Sequence, residues 1–208
     1  MDKFTTLTSL AAPLRENAID TDIIFPARFL LLLDREGLGK YAFNEWRGEG
    51  FVLDTPPYDT AQILVTGETF GTGSSREQAV WTLADLGIRV IIARSFGEIF
   101  YSNCFKNGVL PIRLTGADMD AVEAAAEAQE QLTVDLDRRT VTLPDGRVIA
   151  LDVADHHRRA LLAGLDEVGV ILADHADAID HFENTRRSTA PWLELSQAKL
   201  NALAEDGV

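Results

Sequence analysis

The sequence predicts an α/β fold in which a central mixed, partly parallel sheet is flanked by helices. One observation is a strand–helix–strand–helix–strand order between residues 62 and 112, because each crossover of this kind joins two parallel strands. A second is a series of short alternating segments after residue 132, with a Pro144-Asp145-Gly146 turn, which is typical of an antiparallel meander. Both kinds of pairing in one chain indicate a mixed sheet.

The first part of the chain combines one strand with several turns. Residues 4–7 are predicted as the first strand, followed by a loop through Pro13 to residue 17. Residues 20–26 are polar, then apolar, and end at proline, which indicates a turn that enters a short buried segment. Residues 29–33 are five consecutive large apolar residues, so they form either a core segment or a loop whose leucines line an apolar pocket.

The central block shows the clearest pattern. Residues 62–66 are predicted as a strand, and a helix runs from residue 75 to about residue 85, with Gly87 just past its end. Residues 89–93 are a continuous apolar run, which is typical of a strand in a buried parallel sheet. The block ends with a helix over residues 96–106 and a strand over residues 109–112.

The second half of the chain adds helices around the meander. The predicted elements are an alanine-rich helix over residues 117–131, strands over residues 133–136, 140–143 and 148–151, and helices over residues 155–162 and 177–184. A chain of 208 residues is long enough for one domain with a sizeable core. We therefore expect a single domain over residues 1–185, with residues 186–208 as a C-terminal tail or helix.

Composition excludes several classes of function. The formal net charge of -14 argues against a nucleic-acid partner, because binding the phosphate backbone requires a basic face. No apolar run reaches 18 residues and no signal-peptide pattern opens the sequence, so we expect no membrane partner and a cytoplasmic location. Cys104 is the single cysteine, whereas an iron–sulfur cluster needs at least three cysteine ligands. The four histidines also lack a recognised zinc spacing, so we expect no metal site on this chain.

The glycine-rich turn at residues 70–77 is the most informative stretch. It delivers the hydroxyls of Ser74 and Ser75 and the guanidinium of Arg76 to a predicted helix N-terminus. Free backbone N–H groups and the helix dipole make such an end a seat for an anion, and a hydroxyl there can become acidic. The competing interpretation is a capping box, Ser74-x-x-Glu77, whose spacing recurs at Ser95-x-x-Glu98. Capping requires neither the glycines nor Arg76.

Three ordered motifs together carry a resemblance to a known family. They are Asp20-Thr21-Asp22-Ile23-Ile24-Phe25-Pro26, the Gly73-Ser74-Ser75-Arg76 turn, and the stretch from Ser95 to Gly108. In this order they resemble the small subunits of 3-isopropylmalate dehydratase, which correspond to the swivelling domain of aconitase. The resemblance covers the chain to about residue 183 and implies an aconitase-like swivelling β/β/α domain.

The resemblance also implies a split enzyme. The small subunits of this family act only with a large subunit, as a heterodimer or higher assembly, and the large subunit carries a [4Fe-4S] cluster with one open iron. Together they isomerise 2-isopropylmalate to 3-isopropylmalate by dehydration and rehydration in leucine biosynthesis. The resemblance thus implies that this chain binds a small hydroxy-diacid and no cofactor of its own.

By the same resemblance, individual residues take roles. Ser74 is the catalytic base, Ser75 and Arg76 hold a substrate carboxylate, and Asp22 orders the site with Thr21 beside it. Without the resemblance, a purely structural role for residues 20–22, as an Asx-turn or a helix cap, is as well supported as a role in a site. The family's specificity loop falls on Phe29, Leu30, Leu31 and Leu32, whose apolar side chains would suit an isopropyl group.

Three residues depart from the family pattern and keep alternatives open. Gln78 stands where the family usually has histidine, Val80 replaces a proline, and Thr72 stands where many members have cysteine. Glutamine cannot carry the charge of a histidine. The first alternative is therefore a paralogous hydro-lyase for another hydroxy-diacid, such as a methylated malate or homoaconitate. The second is a non-catalytic module that uses the turn to bind an anion.

Overall fold

The computed structural model describes residues 1–32, 34–73, 76–193 and 201. The helices of this part of the chain are α1 (Thr21–Ile24), α2 (Glu77–Asp85), α3 (Glu98–Lys106), α4 (Gly116–Glu127), α5 (Asp155–Ala163) and α6 (Glu167–Thr189). The strands are β1 (Thr6–Leu14), β2 (Ile63–Thr66), β3 (Val90–Ala93), β4 (Leu110–Arg113), β5 (Gln131–Asp135), β6 (Thr140–Thr142) and β7 (Val148–Ala150). They form a sheet in the order β4-β3-β2-β1-β5-β6-β7.

Strand β1 joins the two halves of this sheet. Its residues 11–14 pair in parallel with β2, and its residues 6–10 pair antiparallel with β5. The β2–β3 and β3–β4 pairs are parallel, whereas β5–β6 and β6–β7 are antiparallel. The predicted mixed, partly parallel sheet is therefore confirmed.

The predicted end of the first strand was wrong. The sequence predicted a strand over residues 4–7 and then a loop through Pro13 to residue 17, but β1 spans Thr6–Leu14, with Pro13 opposite Val65 of β2. Pairing with β5 stops at Leu10, and proline is tolerated where one edge of a strand is unpaired. The strand is longer than its local sequence suggests because β2 supplies a partner from residues far along the chain.

Helices cover both faces of the parallel half. Ile63 and Val65 of β2 point into a core cluster with helix α4 and the meander, whereas Leu64 points into a second cluster with α2 and α3. All three side chains are buried, and each contributes roughly 1.5–3 kcal/mol when fully buried. This two-sided burial is why the strands are continuous apolar runs instead of alternating ones.

The loops after β1, β2 and β3 continue the parallel order beyond the strands. Gly71 donates its N–H to the carbonyl of Ile19 at 2.7 Å, and the N–H of Gly97 is donated to Phe70 at 2.9 Å. Isolated bridges accordingly pair Asp20 with Thr72 and Phe70 with Phe96. Residues 19–21, 70–72 and 95–97 therefore form a hydrogen-bonded layer, which we call the loop ladder.

The capping-box interpretation of Ser95 and Glu98 was wrong. The Oγ of Ser95 accepts the N–H of Thr69 at 2.8 Å, and Glu98 opens α3 while its carboxylate accepts a hydrogen bond from Arg113. Glu77 likewise opens α2 and accepts from the side-chain amide of Asn107 at 2.8 Å. The hydroxyl of Ser95 and the two glutamate carboxylates, which a capping box would use locally, are hydrogen-bonded to residues far away in the sequence.

The chain folds into two compact units, residues 1–166 and residues 167–208. In the second unit α6 has non-helical backbone angles at His175 and is followed by a short 3₁₀ turn, Pro191–Leu193. Helix α6 spans residue 185, and most of the predicted tail lies outside the described residues. The prediction of one domain over residues 1–185 stays a prediction.

The loop ladder generates a stability prediction at Gly71. A Cβ on Gly71 would lie 2.2 Å from Cγ of the buried Phe100 ring, and its φ is +73°. We expect Gly71→Ala to lower the free energy of unfolding by about 3 kcal/mol, combining left-handed strain with overpacking. Urea unfolding followed by circular dichroism measures this change.

The matched control is Gly50→Ala. Gly50 has a similar φ of +85°, but open space surrounds the position of its Cβ. Only the conformational cost of about 1 kcal/mol is then expected. Equal losses in the two variants would contradict the close packing of Gly71 against Phe100.

Candidate active site

The Asp20-Thr21-Asp22 motif forms the start of helix α1. Asp20 is the N-cap, and its Oδ1 accepts the N–H of Ile23 at 2.8 Å. The cap interpretation therefore holds for Asp20 itself. Thr21 is buried and Asp22 is 52% exposed at its side chain, so the two residues predicted to help form the site have different surroundings.

The glycine turn lies directly beside this motif. The N–H of Thr21 is donated to the carbonyl of Thr72 at 2.9 Å. A Cβ on Gly73 would lie 3.4 Å from Oγ1 of Thr21. Two segments that are about fifty residues apart in the sequence therefore meet at the carboxyl ends of β1 and β2, which is where open α/β sheets commonly bind ligands.

Ser74 and Ser75 lie outside the described residues, so their roles stay predictions. The residues on either side are described: Gly73 has a φ of +97°, and Arg76 is the extended N-cap residue of α2. The predicted N-terminal helix end is thus present one residue after Ser75.

Arg76 forms an ion pair with Asp22. The Nη1 atom of Arg76 donates to Oδ1 of Asp22, and the arginine side chain is only 16% exposed. A guanidinium has five N–H donors in a fixed plane, so the bond to Asp22 sets the orientation of the remaining edge. The structure therefore brings together three predicted site residues, Thr21, Asp22 and Arg76.

The apolar stretch after Pro26 forms a loop whose tip is exposed. The Phe29 ring stacks on Tyr41 with a centroid distance of 4.4 Å, and Leu30 packs against the core. Leu31 is 90% exposed and Leu32 is 38% exposed. Leu33 lies outside the described residues. The core-segment interpretation therefore fits Phe29 and Leu30, whereas Leu31 and Leu32 fit the loop interpretation.

Two residues that contact the apolar loop or the segment after it were missed by sequence reasoning. Tyr41 supports the Phe29 ring, and the carboxylate of Asp85, at the end of α2, accepts two backbone N–H groups from the segment that follows Leu32. An acidic residue in the last turn of a helix, where it opposes the dipole, was the available signal for Asp85.

The described residues offer no cluster of metal-ligating side chains. They contain no group of three histidine, cysteine, aspartate or glutamate side chains that could hold a metal ion. Cys104 is fully buried in α3, and burial raises the pKa of its thiol well above the ordinary value.

None of the described helices is both long enough and apolar enough to cross a membrane.

Family models match most of the chain. The aconitase C-terminal domain matches residues 1–117, a model described as LeuD_N matches residues 120–155, and the C-terminal domain of 3-isopropylmalate dehydratase small subunits matches residues 174–196. The first of these alone spans more than half of the 208 residues.

Curated relatives and a solved structure agree with these models. The 3-isopropylmalate dehydratase small subunit of Gluconacetobacter diazotrophicus is 50% identical over 92% of this chain and 97% of its own length. That of Neisseria meningitidis is 45% identical over 93% and 99%. A crystal structure of 3-isopropylmalate dehydratase from Methanocaldococcus jannaschii has a TM-score of 0.65 and 26% identity, and covers 85% of this chain and 99% of that one. This chain therefore belongs to the family of 3-isopropylmalate dehydratase small subunits.

Proposed function

We propose that this chain is the small subunit of a 3-isopropylmalate dehydratase, a hydro-lyase that isomerises 2-isopropylmalate to 3-isopropylmalate in leucine biosynthesis. The observation that carries the proposal is identity of 45–50% to small subunits of that name over nearly the full length of both chains. The placement of Thr21 and Asp22 beside the glycine turn that carries Arg76 supports it.

The reaction defines what the site has to do. A proton leaves the carbon next to the one that bears the hydroxyl, the hydroxyl departs as water, and water then adds back in the opposite orientation. The step needs a base beside the acidic carbon and a cationic group that holds the adjacent carboxylate. In our proposal Ser74 takes the proton, and Ser75 and Arg76 hold the carboxylate.

Arg76 suits this role because Asp22 already orients its guanidinium before substrate binds. Asp22 bonds one end of the guanidinium, and a planar guanidinium binds a carboxylate through two parallel hydrogen bonds. Helix α2 starts immediately after Arg76, so the positive end of its dipole adds to the attraction for the substrate anion.

The iron–sulfur cluster expected for an aconitase relative does not fit the residues of this chain. Its one cysteine is buried, and a cluster requires several thiolate ligands. We propose that a large partner subunit holds the cluster and that the two chains form the active site together, as a heterodimer or larger assembly. We also propose a cytoplasmic location, in keeping with the role in leucine biosynthesis proposed above.

A second candidate is a paralogous hydro-lyase that acts on another hydroxy-diacid. The observation that favours it is Gln78, which is half-buried in the first turn of α2 where the resembling family usually has a histidine. Glutamine accepts and donates hydrogen bonds but carries no proton-transfer function at neutral pH. Turnover of a methylated malate or homoaconitate in preference to 2-isopropylmalate would favour this candidate.

The first test is turnover of 2-isopropylmalate under anaerobic conditions, with the cluster-bearing large subunit added or omitted. We expect activity only with both chains. Ser74→Ala should lower kcat on the order of a thousandfold because it removes the proposed base, while most of the substrate affinity remains. Steady-state kinetics of the reconstituted pair measures both quantities.

Ser188→Ala is the control, because Ser188 lies on α6 and its hydroxyl donates a hydrogen bond to the carbonyl of Thr185 on the same helix. It should leave kcat unchanged. Anion binding without turnover in the wild-type pair would support the non-catalytic module instead. Full activity of Ser74→Ala would remove Ser74 from the mechanism.

Arg76→Lys tests the two-pronged carboxylate contact. Lysine keeps the positive charge but loses the planar pair of donors, so we expect KM for 2-isopropylmalate to rise at least about tenfold, which corresponds to roughly 1.4 kcal/mol. Arg147→Lys, at an exposed ion pair with Asp118, should leave KM unchanged. An unaltered KM in Arg76→Lys would contradict the carboxylate role.

Leu31→Arg tests the apolar specificity loop. Leu31 is highly exposed, so the substitution should leave the free energy of unfolding within about 0.5 kcal/mol of wild type. We expect kcat/KM for 2-isopropylmalate to fall about tenfold or more, while substrates with a charged arm gain, as competition assays would measure. The matched control is Val148→Arg, at another exposed apolar residue. Unchanged discrimination in Leu31→Arg would refute the loop assignment.

A further inference from the structure

Helix α2 is bonded at its C-terminal end to the chain segment that follows the exposed leucines. The Oδ1 of Asp85 accepts the N–H of Gly37 at 3.1 Å, and the Oδ2 accepts the N–H of Gly39 at 2.6 Å. Each carboxylate oxygen thus takes one backbone donor. We call this arrangement the Asp85 clamp.

The clamp does not serve helix α2 itself. Asp85 is the last residue of α2, and the last turn contains no basic residue. A negative charge there opposes the helix dipole and is locally unfavourable. The two hydrogen bonds to a carboxylate are of the stronger, charge-assisted kind. These two hydrogen bonds offset the unfavourable interaction with the dipole, and their effect is to hold residues 37–39 against the end of α2.

The approach of the segment to α2 is close enough to require glycine. A Cβ on Gly39 would lie 2.7 Å from the backbone N of Leu86 and 2.8 Å from its Cα. These are backbone atoms of the helix end and cannot rotate aside. The two hydrogen bonds and this close backbone packing together fix the distance between the segment and α2.

Other contacts hold the loop around its exposed tip. Before the tip, Phe29 stacks on Tyr41. After it, the guanidinium of Arg35 lies 4.1 Å from the ring centroid of Trp81 on α2. Leu31 at the tip remains almost fully exposed. The loop is thus anchored on both sides while its apolar side chain is presented outward.

We infer that Asp85 is a positioning residue for substrate specificity, which holds the leucine loop at a fixed place relative to Arg76. This inference rests on the proposed function. Arg76 precedes α2 and Asp85 ends it, so one helix carries the carboxylate-binding group at one end and the anchor of the apolar loop at the other. The helix thereby sets the distance between the group that binds a carboxylate and the loop that binds a branched apolar arm of the same substrate.

The test is Asp85→Asn in the pair reconstituted with the large subunit. Asparagine keeps the size of the side chain but replaces one acceptor with a donor, which opposes a second N–H. Because the loop contacts the isopropyl group before and during the reaction, the loss should appear in KM and not in kcat. We expect KM for 2-isopropylmalate to rise about tenfold, with kcat within about twofold of wild type.

A second substrate separates this effect from a general loss of structure. A malate with a methyl in place of the isopropyl group makes fewer contacts with the loop, so its KM should change less. The preference for 2-isopropylmalate should therefore fall in Asp85→Asn. Asp118→Asn is the control, since Asp118 pairs with Arg147 on the surface and should leave both substrates unaffected.

Amide hydrogen exchange on the isolated chain gives a readout that needs no turnover. The N–H groups of Gly37 and Gly39 should exchange at least about tenfold faster in Asp85→Asn, whereas those of strand β3 stay unchanged. Unchanged exchange at the two glycines would overturn the clamp. Faster exchange with an unaltered substrate preference would overturn its role in specificity. A wild-type pair that is inactive on 2-isopropylmalate would instead refute the proposed function, and the exchange result would still decide the clamp.

Discussion

The loop ladder is the constraint on which the rest of the candidate site depends. Three segments that leave β1, β2 and β3 are hydrogen-bonded side by side, at distances of 2.7–2.9 Å for the bonds from Gly71, Thr21 and Gly97. Phe100 occupies the space beside Gly71, so at this one residue the middle segment has no room for a side chain. Because this spacing is rigid, Asp22, which follows the first segment, lies close enough to form an ion pair with Arg76, which follows the second segment.

The Arg76–Asp22 pair contributes orientation more than stability. Asp22 is half exposed, and ion pairs with an exposed partner are typically worth less than about 1 kcal/mol. A contact this weak can direct the guanidinium and still yield part of its hydrogen bonding to a substrate carboxylate at little cost. The same geometry in a dry interior would be harder to rearrange, because breaking a buried pair leaves an uncompensated charge.

Helix α2 organises both ends of the proposed substrate site. Its N-terminal end follows Arg76, and its C-terminal Asp85 binds the segment behind the leucine loop. The helix is only nine residues long, so a shift of the helix would move both Arg76 and Asp85. Leu31 is 90% exposed on this anchored loop, so its apolar side chain is accessible to a substrate or to a partner subunit.

The sequence by itself determined the order and type of the main elements, because hydrophobic periodicity and glycine signals act locally. The strand over residues 90–93 and the glycine with positive φ just past α2, Gly87, were predictable in this way. It also indicated the motifs at residues 20–22 and 74–76, although Ser74 and Ser75 themselves stay predictions. Tertiary structure alone decided that β1 extends to Leu14, that Ser95 bonds Thr69 and that Asp85 binds glycines more than forty residues away. Such hydrogen bonds join groups that are distant in the chain, and no local pattern encodes their partners.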